Sequence, residues 1–221
     1  DLYSANERNV DYSEVQRADL VVLNEINDID NALTQVLLDY LSQGGSVLVV
    51  PSAEPVLASY RALIPTITLS RQKDFLPLTT PDFNNPFFEN VFQERSVQVA
   101  TPAVRNTIVW GNDRQAILFQ QDGTPYLSKL QTIGNVYVLG SPLHASYGSF
   151  ASNALFVPVM YRMAAYSQRN QQPLYYSLAH PVVSFSGAMP SNAVLTMSGV
   201  QELTPAQRIV NQQVMLDMSG L

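Results

Sequence analysis

The pattern of apolar and polar positions between Asp19 and Pro51 describes one complete structural unit. Leu20, Val21, Val22 and Leu23 form an unbroken apolar run, the signature of a strand covered on both faces. Asp28 or Asp30 then offers a carboxylate to cap a helix. Leu33, Val36, Leu37, Tyr40 and Leu41 follow the i, i+3, i+4, i+7, i+8 spacing of one buried helical face. Gly44-Gly45 closes that helix with the positive-φ residue its C-terminus favours, and 47–50 is a second buried strand. Strand, amphipathic helix and strand within about thirty residues make a βαβ unit, whose crossover is expected to be right-handed.

Beyond this unit the pattern weakens and then returns. Glu54-Pro55 predicts a helix with Pro55 in its first turn and Val56, Leu57, Tyr60 and Leu63 on one face. Pro65, Pro77, Pro81, Pro86 and Pro102 then break 65–110 into short runs. Within it, Asn85-Pro86 predicts the cap and first position of a small helix carrying Phe87, Phe88, Val91 and Phe92. That stretch reads as an insertion packed on the domain by its aromatics. Strands are expected at 116–119, 126–130 and 136–139, joined at the turn dipeptides Asp122-Gly123 and Gly134-Asn135. A helix over about 151–167 buries Leu155, Phe156, Val159, Met160 and Met163. After Pro173 the runs 174–178, 182–185, 193–197, 208–210 and 214–216 are short and strand-like, with no helical period. The expected organisation is an α/β domain over 1–173 and an all-β segment over 174–221, the opening strands of a truncated β-sandwich.

Composition removes several classes of function. The 221 residues are 46% hydrophobic and only 14% charged, which excludes disorder and leaves the surface polarity to Asn, Gln, Ser and Thr. Lys73 and Lys129 are the only lysines, and the net charge of −6 argues against a nucleic-acid or anionic-membrane surface. The absence of cysteine excludes thiolate nucleophiles, disulfides and zinc–cysteine sites. His144 and His180 are the only histidines, too few to suggest a metal centre, and no cofactor motif is present. No apolar run approaches the ~20 residues of a transmembrane helix. The longest, 154–166, is interrupted by Pro158 and Arg162. The start at Asp1 without a signal peptide, and the end just after a strand-like run, read as a piece cut from a longer protein.

Candidate chemistry gathers at three strand ends, where ligands bind in open α/β sheets. Leu23 leads into Asn24-Glu25, Val50 into Pro51-Ser52, and Leu139 into Gly140-Ser141-Pro142-Leu143-His144. If the three strands are neighbours, Glu25, Ser52 and His144 converge with the ingredients of acyl transfer. The imidazole would take the serine proton and the carboxylate would orient the imidazole. Against this, a nucleophile elbow needs small residues on both sides, as in G-x-S-x-G. Ser52 instead lies in Val-Pro-Ser-Ala-Glu-Pro, where Pro51 fixes φ and removes an N–H. This context favours Ser52 as a helix cap, and His144 as an exposed or backbone-bonded histidine.

Weaker signals read structurally. Gly44-Gly45 lacks the G-x-G-x-x-G spacing and follows a helix, so it is a cap and not a phosphate cradle. Asp28 and Asp30 read as capping residues before they read as a metal pair. Trp110 with Tyr175 and Tyr176 could line a glycan or peptide surface, and so could the 65–110 insertion.

Two resemblances add to this reading. The strand at 20–23, the helix at 31–43, Gly44-Gly45, the strand at 47–50 and the later strand ending in Ser141-Pro142-Leu143-His144 resemble the class I glutamine amidotransferase-like fold. In that family the strand after the helix leads into a G-x-C-x-G elbow, and a late strand carries the catalytic His in a His-Pro-Glu run. Ser52 stands at about the cysteine position without either glycine, and no Glu follows His144 at the family spacing. The resemblance therefore implies a three-layer, flavodoxin-like sheet without amidotransferase activity, and no catalytic residue is expected.

The second resemblance rests on Tyr12-Ser13, on 18–26, on 44–51, on Asn85-Pro86-Phe87-Phe88 with Val91-Phe92, on 140–143, on 156–167 and on Pro173-Leu174-Tyr175-Tyr176. Together these are similar to large Bacteroidetes membrane proteins with an N-terminal double-transmembrane region of the Bacteroides aerotolerance (Bat) type. What it implies is a soluble region between membrane segments, facing the periplasm, with protein partners in the cell envelope. Contact with the membrane would come only through segments outside this piece. The expected role is that of a non-catalytic interaction or scaffold domain. The alternatives are a serine-dependent hydrolase or transferase using Ser52 and His144, and glycan or peptide binding through 65–110.

Overall fold

A computed structural model describes residues 2–82, 85–88, 100–132, 134–168, 182–186, 195–196, 204–210 and 213–217. The chain divides into two units, Asp1–Arg169 and Asn170–Leu221. In the first, a short helix α1 (Tyr12–Arg17) leads into β1 (Leu20–Asn24), α2 (Asn31–Ser42) and β2 (Ser46–Val50). The two strands pair in parallel, with Val22 beside Leu48 and Leu23 beside Val49. Asp30 is the residue that caps α2, its carboxylate accepting from the Leu33 amide at 2.7 Å. At the other end Gly44, at φ 82°, donates to Leu41 O and Gly45 donates to Tyr40 O. These two bonds form a Schellman closure.

The helix expected from Glu54 is much shorter than its pattern. The Val56 amide donates to Asn27 O at 2.8 Å, and Val56 itself is extended rather than helical. Helix α3 (Leu57–Tyr60) is confined to four residues and has no side-chain cap. Its Ser59 Oγ accepts from the Ile29 amide and its Tyr60 hydroxyl donates to Ile26 O. A tertiary hydrogen bond has displaced the local helical preference.

The irregular stretch contains two small antiparallel pairs. Strands β3 (Thr68–Leu69) and β4 (Leu76–Pro77) pair with β6 (Ile108–Val109) and β5 (Ala103–Val104), respectively. Asn85 caps a single 3₁₀ turn, Pro86–Phe88, by accepting from the Phe87 amide. Phe92 and Val91 lie outside the described residues. Then β7 (Leu118–Phe119), β8 (Pro125–Thr132) and β9 (Gly134–Leu139) complete a five-stranded sheet of order β1-β2-β9-β8-β7. β9 runs parallel to β2, while β8 is antiparallel to both β9 and β7. The sheet is mixed, and the unit is α/β.

Side chains alternate across this sheet with the period of two that pleating dictates. Val47, Val49, Val136 and Val138 meet Leu33, Leu37, Tyr40 and Leu41 of α2 on one face. Leu48, Val50, Tyr137 and Leu139 face the other way, toward Leu155 and toward Val159 and Met163 of α4 (Phe156–Ser167). Phe87 and Phe88 belong to this second core, so the insertion is anchored by those aromatics. Ile108 and Trp110 enter the first. No helix among the described residues is long and apolar enough to cross a membrane.

In the second unit, β10 (Val182–Ser186), β11 (Ala206–Val210) and β12 (Gln213–Asp217) form an antiparallel sheet of order β10-β12-β11. Val214 and Leu216 are buried, whereas Met215 between them is exposed, again the alternation of a one-sided sheet. The expected strand at 174–178 lies outside the described residues, as do 193, 194 and 197 of the one expected at 193–197, whose Leu195 and Thr196 are not in a strand.

Candidate functional site

Strands β1, β2 and β9 are adjacent and parallel, so their C-terminal ends lie along one edge of the sheet. Glu25, Ser52 and the 140–144 run therefore leave neighbouring strands, as a crevice at this position requires. The side chains themselves are not assembled for acyl transfer.

Glu25 follows β1 in the left-handed region at φ 54°, the only described non-glycine residue with positive φ. Its amide donates to Val50 O at 2.9 Å, which closes the end of β1 onto β2, and its side chain is exposed. Ser52 is 3% exposed, and its hydroxyl has no hydrogen-bond partner. It is therefore not a helix cap, because the N-cap position of α3 is Val56 and the Ser52 hydroxyl reaches no backbone amide. Nor is it paired with His144. That imidazole is exposed, and its Nδ1 accepts from the Ser146 amide at 3.2 Å and meets Ser146 Oγ at 2.9 Å. His144 serves as the N-cap of the 3₁₀ turn Ala145–Tyr147.

The insertion supplies what covers these strand ends, through residues that the sequence reading passed over. The Thr107 amide donates to Gly140 O at 2.7 Å, and Thr107 Oγ1 donates at 3.4 Å to Ser52 O. Asn106, 2% exposed, donates from Nδ2 to Pro125 O and from its backbone amide to Gln72 Oε1. A Cβ at Gly140 would stand 2.4 Å from Asn106 Oδ1, so a larger residue there would have to displace the buried Asn106 side chain. Ser141 is 1% exposed and its Oγ lies 3.3 Å from the Tyr126 hydroxyl. Burial pushes that phenol's pKa upward, so it stays neutral across the physiological range. Thr107 thus ties the Asn106-Thr107 segment to the chain just beyond the ends of β2 and β9. Nothing in the irregular polar pattern of 65–110 marked these two residues.

The remaining candidates are structural. Trp110 is 4% exposed and donates from Nε1 to Ser128 Oγ at 3.0 Å, which makes it a core residue. Tyr175, Tyr176 and His180 lie outside the described residues. Asp28 is exposed at the rim of an open cleft of about 530 Å³ beside the start of α2, lined also by Asn31, Thr34, Val56 and Ala62. Leu69 and Phe75 are exposed on the insertion, and Arg105 lies over the Phe75 ring at 5.3 Å.

No protein-family model and no curated protein matches the chain. Among solved structures it is similar to the cytoplasmic protein STM3548 from Salmonella typhimurium, with 14% identity and a TM-score of 0.54. The match covers 72% of this chain and 76% of the other, and at this identity it is a likeness of fold alone.

Proposed function

We propose that the chain is a non-catalytic interaction or scaffold domain with a class I glutamine amidotransferase-like fold. The resemblance to Bat-type Bacteroidetes proteins suggests its setting, a membrane-anchored protein of the cell envelope with the domain on the periplasmic side. One observation carries the non-catalytic part of this reading. The Ser52 hydroxyl, at the strand end where a nucleophile would stand, is buried and unpaired, while His144 Nδ1 is held by Ser146. A serine without a base to take its proton is a poor nucleophile at neutral pH.

Treatment with a fluorophosphonate probe, which labels activated serines, tests this. The expected result is no labelling at Ser52. Labelling of Ser52 that disappears in His144→Ala overturns the reading in favour of a serine hydrolase or transferase.

A further inference from the structure

The sheet ends at β1, yet β1 carries the sequence of an interior strand. Among the described residues it has β2 on one side and no strand on the other. Edge strands of soluble proteins are usually blunted by a charge, a proline or a bulge. Leu20, Val21, Val22 and Leu23 carry none of these, and the register with β2 is unbroken.

Two features of β1 are incomplete. Because the Glu25 amide points to Val50 O, strand alternation directs the N–H and C=O groups of Leu20, Val22 and Asn24 away from β2. Backbone groups at strand spacing are satisfied best by another strand. The apolar cover also gives out at this point. Val22 is 46% exposed, whereas its in-register neighbour Leu48 is fully buried.

Charge decides between occupants. β1 is bracketed by the exposed residues Asp19 and Glu25, with Asp28 and Asp30 exposed beyond, while the one nearby cation before it, Arg17, is paired with Glu14 at 3.3 Å. A second copy pairing antiparallel about a twofold axis through Val22 would set Asp19 opposite Glu25 at both ends. Like charges directly opposite are destabilising. An apolar strand bounded by Lys or Arg meets the same ends favourably.

We infer that β1 receives an additional strand from a partner polypeptide, apolar at alternate positions and flanked by basic residues. This deepens the reading as an interaction module and rests on it. The added strand would satisfy the outward groups of Leu20, Val22 and Asn24 and cover Val22.

The test uses a peptide of alternating valine and threonine with a lysine at each end, and a control with glutamates in place of the lysines. Amide hydrogen exchange at residues 20–24 is followed by NMR in the full 221-residue chain. The lysine peptide is expected to slow exchange at Leu20, Val22 and Asn24 about ten-fold or more, and the glutamate peptide to leave it unchanged. Val22→Lys should abolish the protection. Glu25→Lys, which leaves the apolar strand intact, should narrow the preference for lysine ends. Equal protection by both peptides, or by neither, overturns the proposal. So does concentration-dependent dimerisation in sedimentation velocity that Val22→Lys removes, which would give the edge to a second copy. Each of these failures is distinct from Ser52 labelling, which alone would overturn the non-catalytic reading.

Discussion

The Tyr40 hydroxyl accepts from the Ser46 amide at 3.2 Å and lies 3.1 Å from the Ser46 carbonyl, tying the end of α2 to the first residue of β2. The same oxygen is 3.1 Å from the carbonyls of Ala18 and Asp19, just before β1. One fully buried phenol thus gathers both strands of the parallel pair and the helix between them. Tyr40→Phe keeps the ring and removes this hub. It should lower stability by about 1–3 kcal/mol, the cost of leaving buried backbone groups without a partner. Urea unfolding should show a lower midpoint with an unchanged m-value. An unchanged midpoint would mean that water replaces the hydroxyl.

Gly134 meets a different constraint at the start of β9. It sits at φ 74°, and a Cβ there would stand 2.5 Å from Leu41 O and 2.9 Å from Gly45 O. Gly123 has a similar φ of 85° but open space where its Cβ would be. Gly123→Ala should therefore cost only the conformational penalty, about 1 kcal/mol. Gly134→Ala adds a clash with fixed backbone and should cost at least about 1 kcal/mol more. Comparing the two midpoints under identical conditions checks the order, and equal losses would show that α2 can move away.

Alkaline pH should destabilise the α/β unit. Burial, and to a lesser degree the neighbouring Tyr166, push the Tyr137 phenol from 10.0 up to about 12. The Ser167 hydroxyl acts weakly in the opposite direction, but it donates to Met163 O at 2.7 Å and leaves the phenol without a well-formed hydrogen bond. The unfolded chain then loses this proton near pH 10 while the folded chain keeps it. The contribution is fully present below pH 10 and is lost as the pH rises toward 12. Tyr137→Phe should flatten the decline in urea midpoint over that window. Tyr60 and Tyr126, raised chiefly by burial, should keep it from vanishing. An identical pH profile in the variant would mean that Tyr137 does not contribute.

The parts of the fold that were legible in the sequence are those where one face is dry. Val47 and Val49 on one side, with Leu48 and Val50 on the other, can all be apolar only in a strand covered twice. The spacing of Leu33, Leu37, Tyr40 and Leu41 follows from a single buried helical stripe. Where long-range hydrogen bonds decide, the pattern was silent or misleading. The helix expected from Glu54 was cut short by the bond from Val56 to Asn27, a contact that no local period encodes. At the candidate site the strand ends could be listed in advance as a possible crevice. What covers them could not, because Asn106 and Thr107 sit in a stretch without periodicity, between two-residue strands.

Ser52 gives the sharpest difference between a catalytic and a structural residue. Its hydroxyl is buried without a hydrogen bond, so the fold bears the desolvation of that group with no compensating partner. Its backbone carbonyl, by contrast, accepts from Thr107 Oγ1 and is untouched by a change of side chain. Ser52→Ala removes the stranded oxygen and leaves a void no larger than one atom. Stability should stay level or rise by up to about 1 kcal/mol, as expected when an unsatisfied buried polar group is deleted. The control is Thr107→Val, which keeps the shape but takes away the donor to Ser52 O and should lower stability by about 1 kcal/mol. Differential scanning calorimetry of both variants beside the parent checks the pair. A clear loss in Ser52→Ala would show that the hydroxyl has a partner, such as an ordered water, and that the strand end is wetter than its burial indicates.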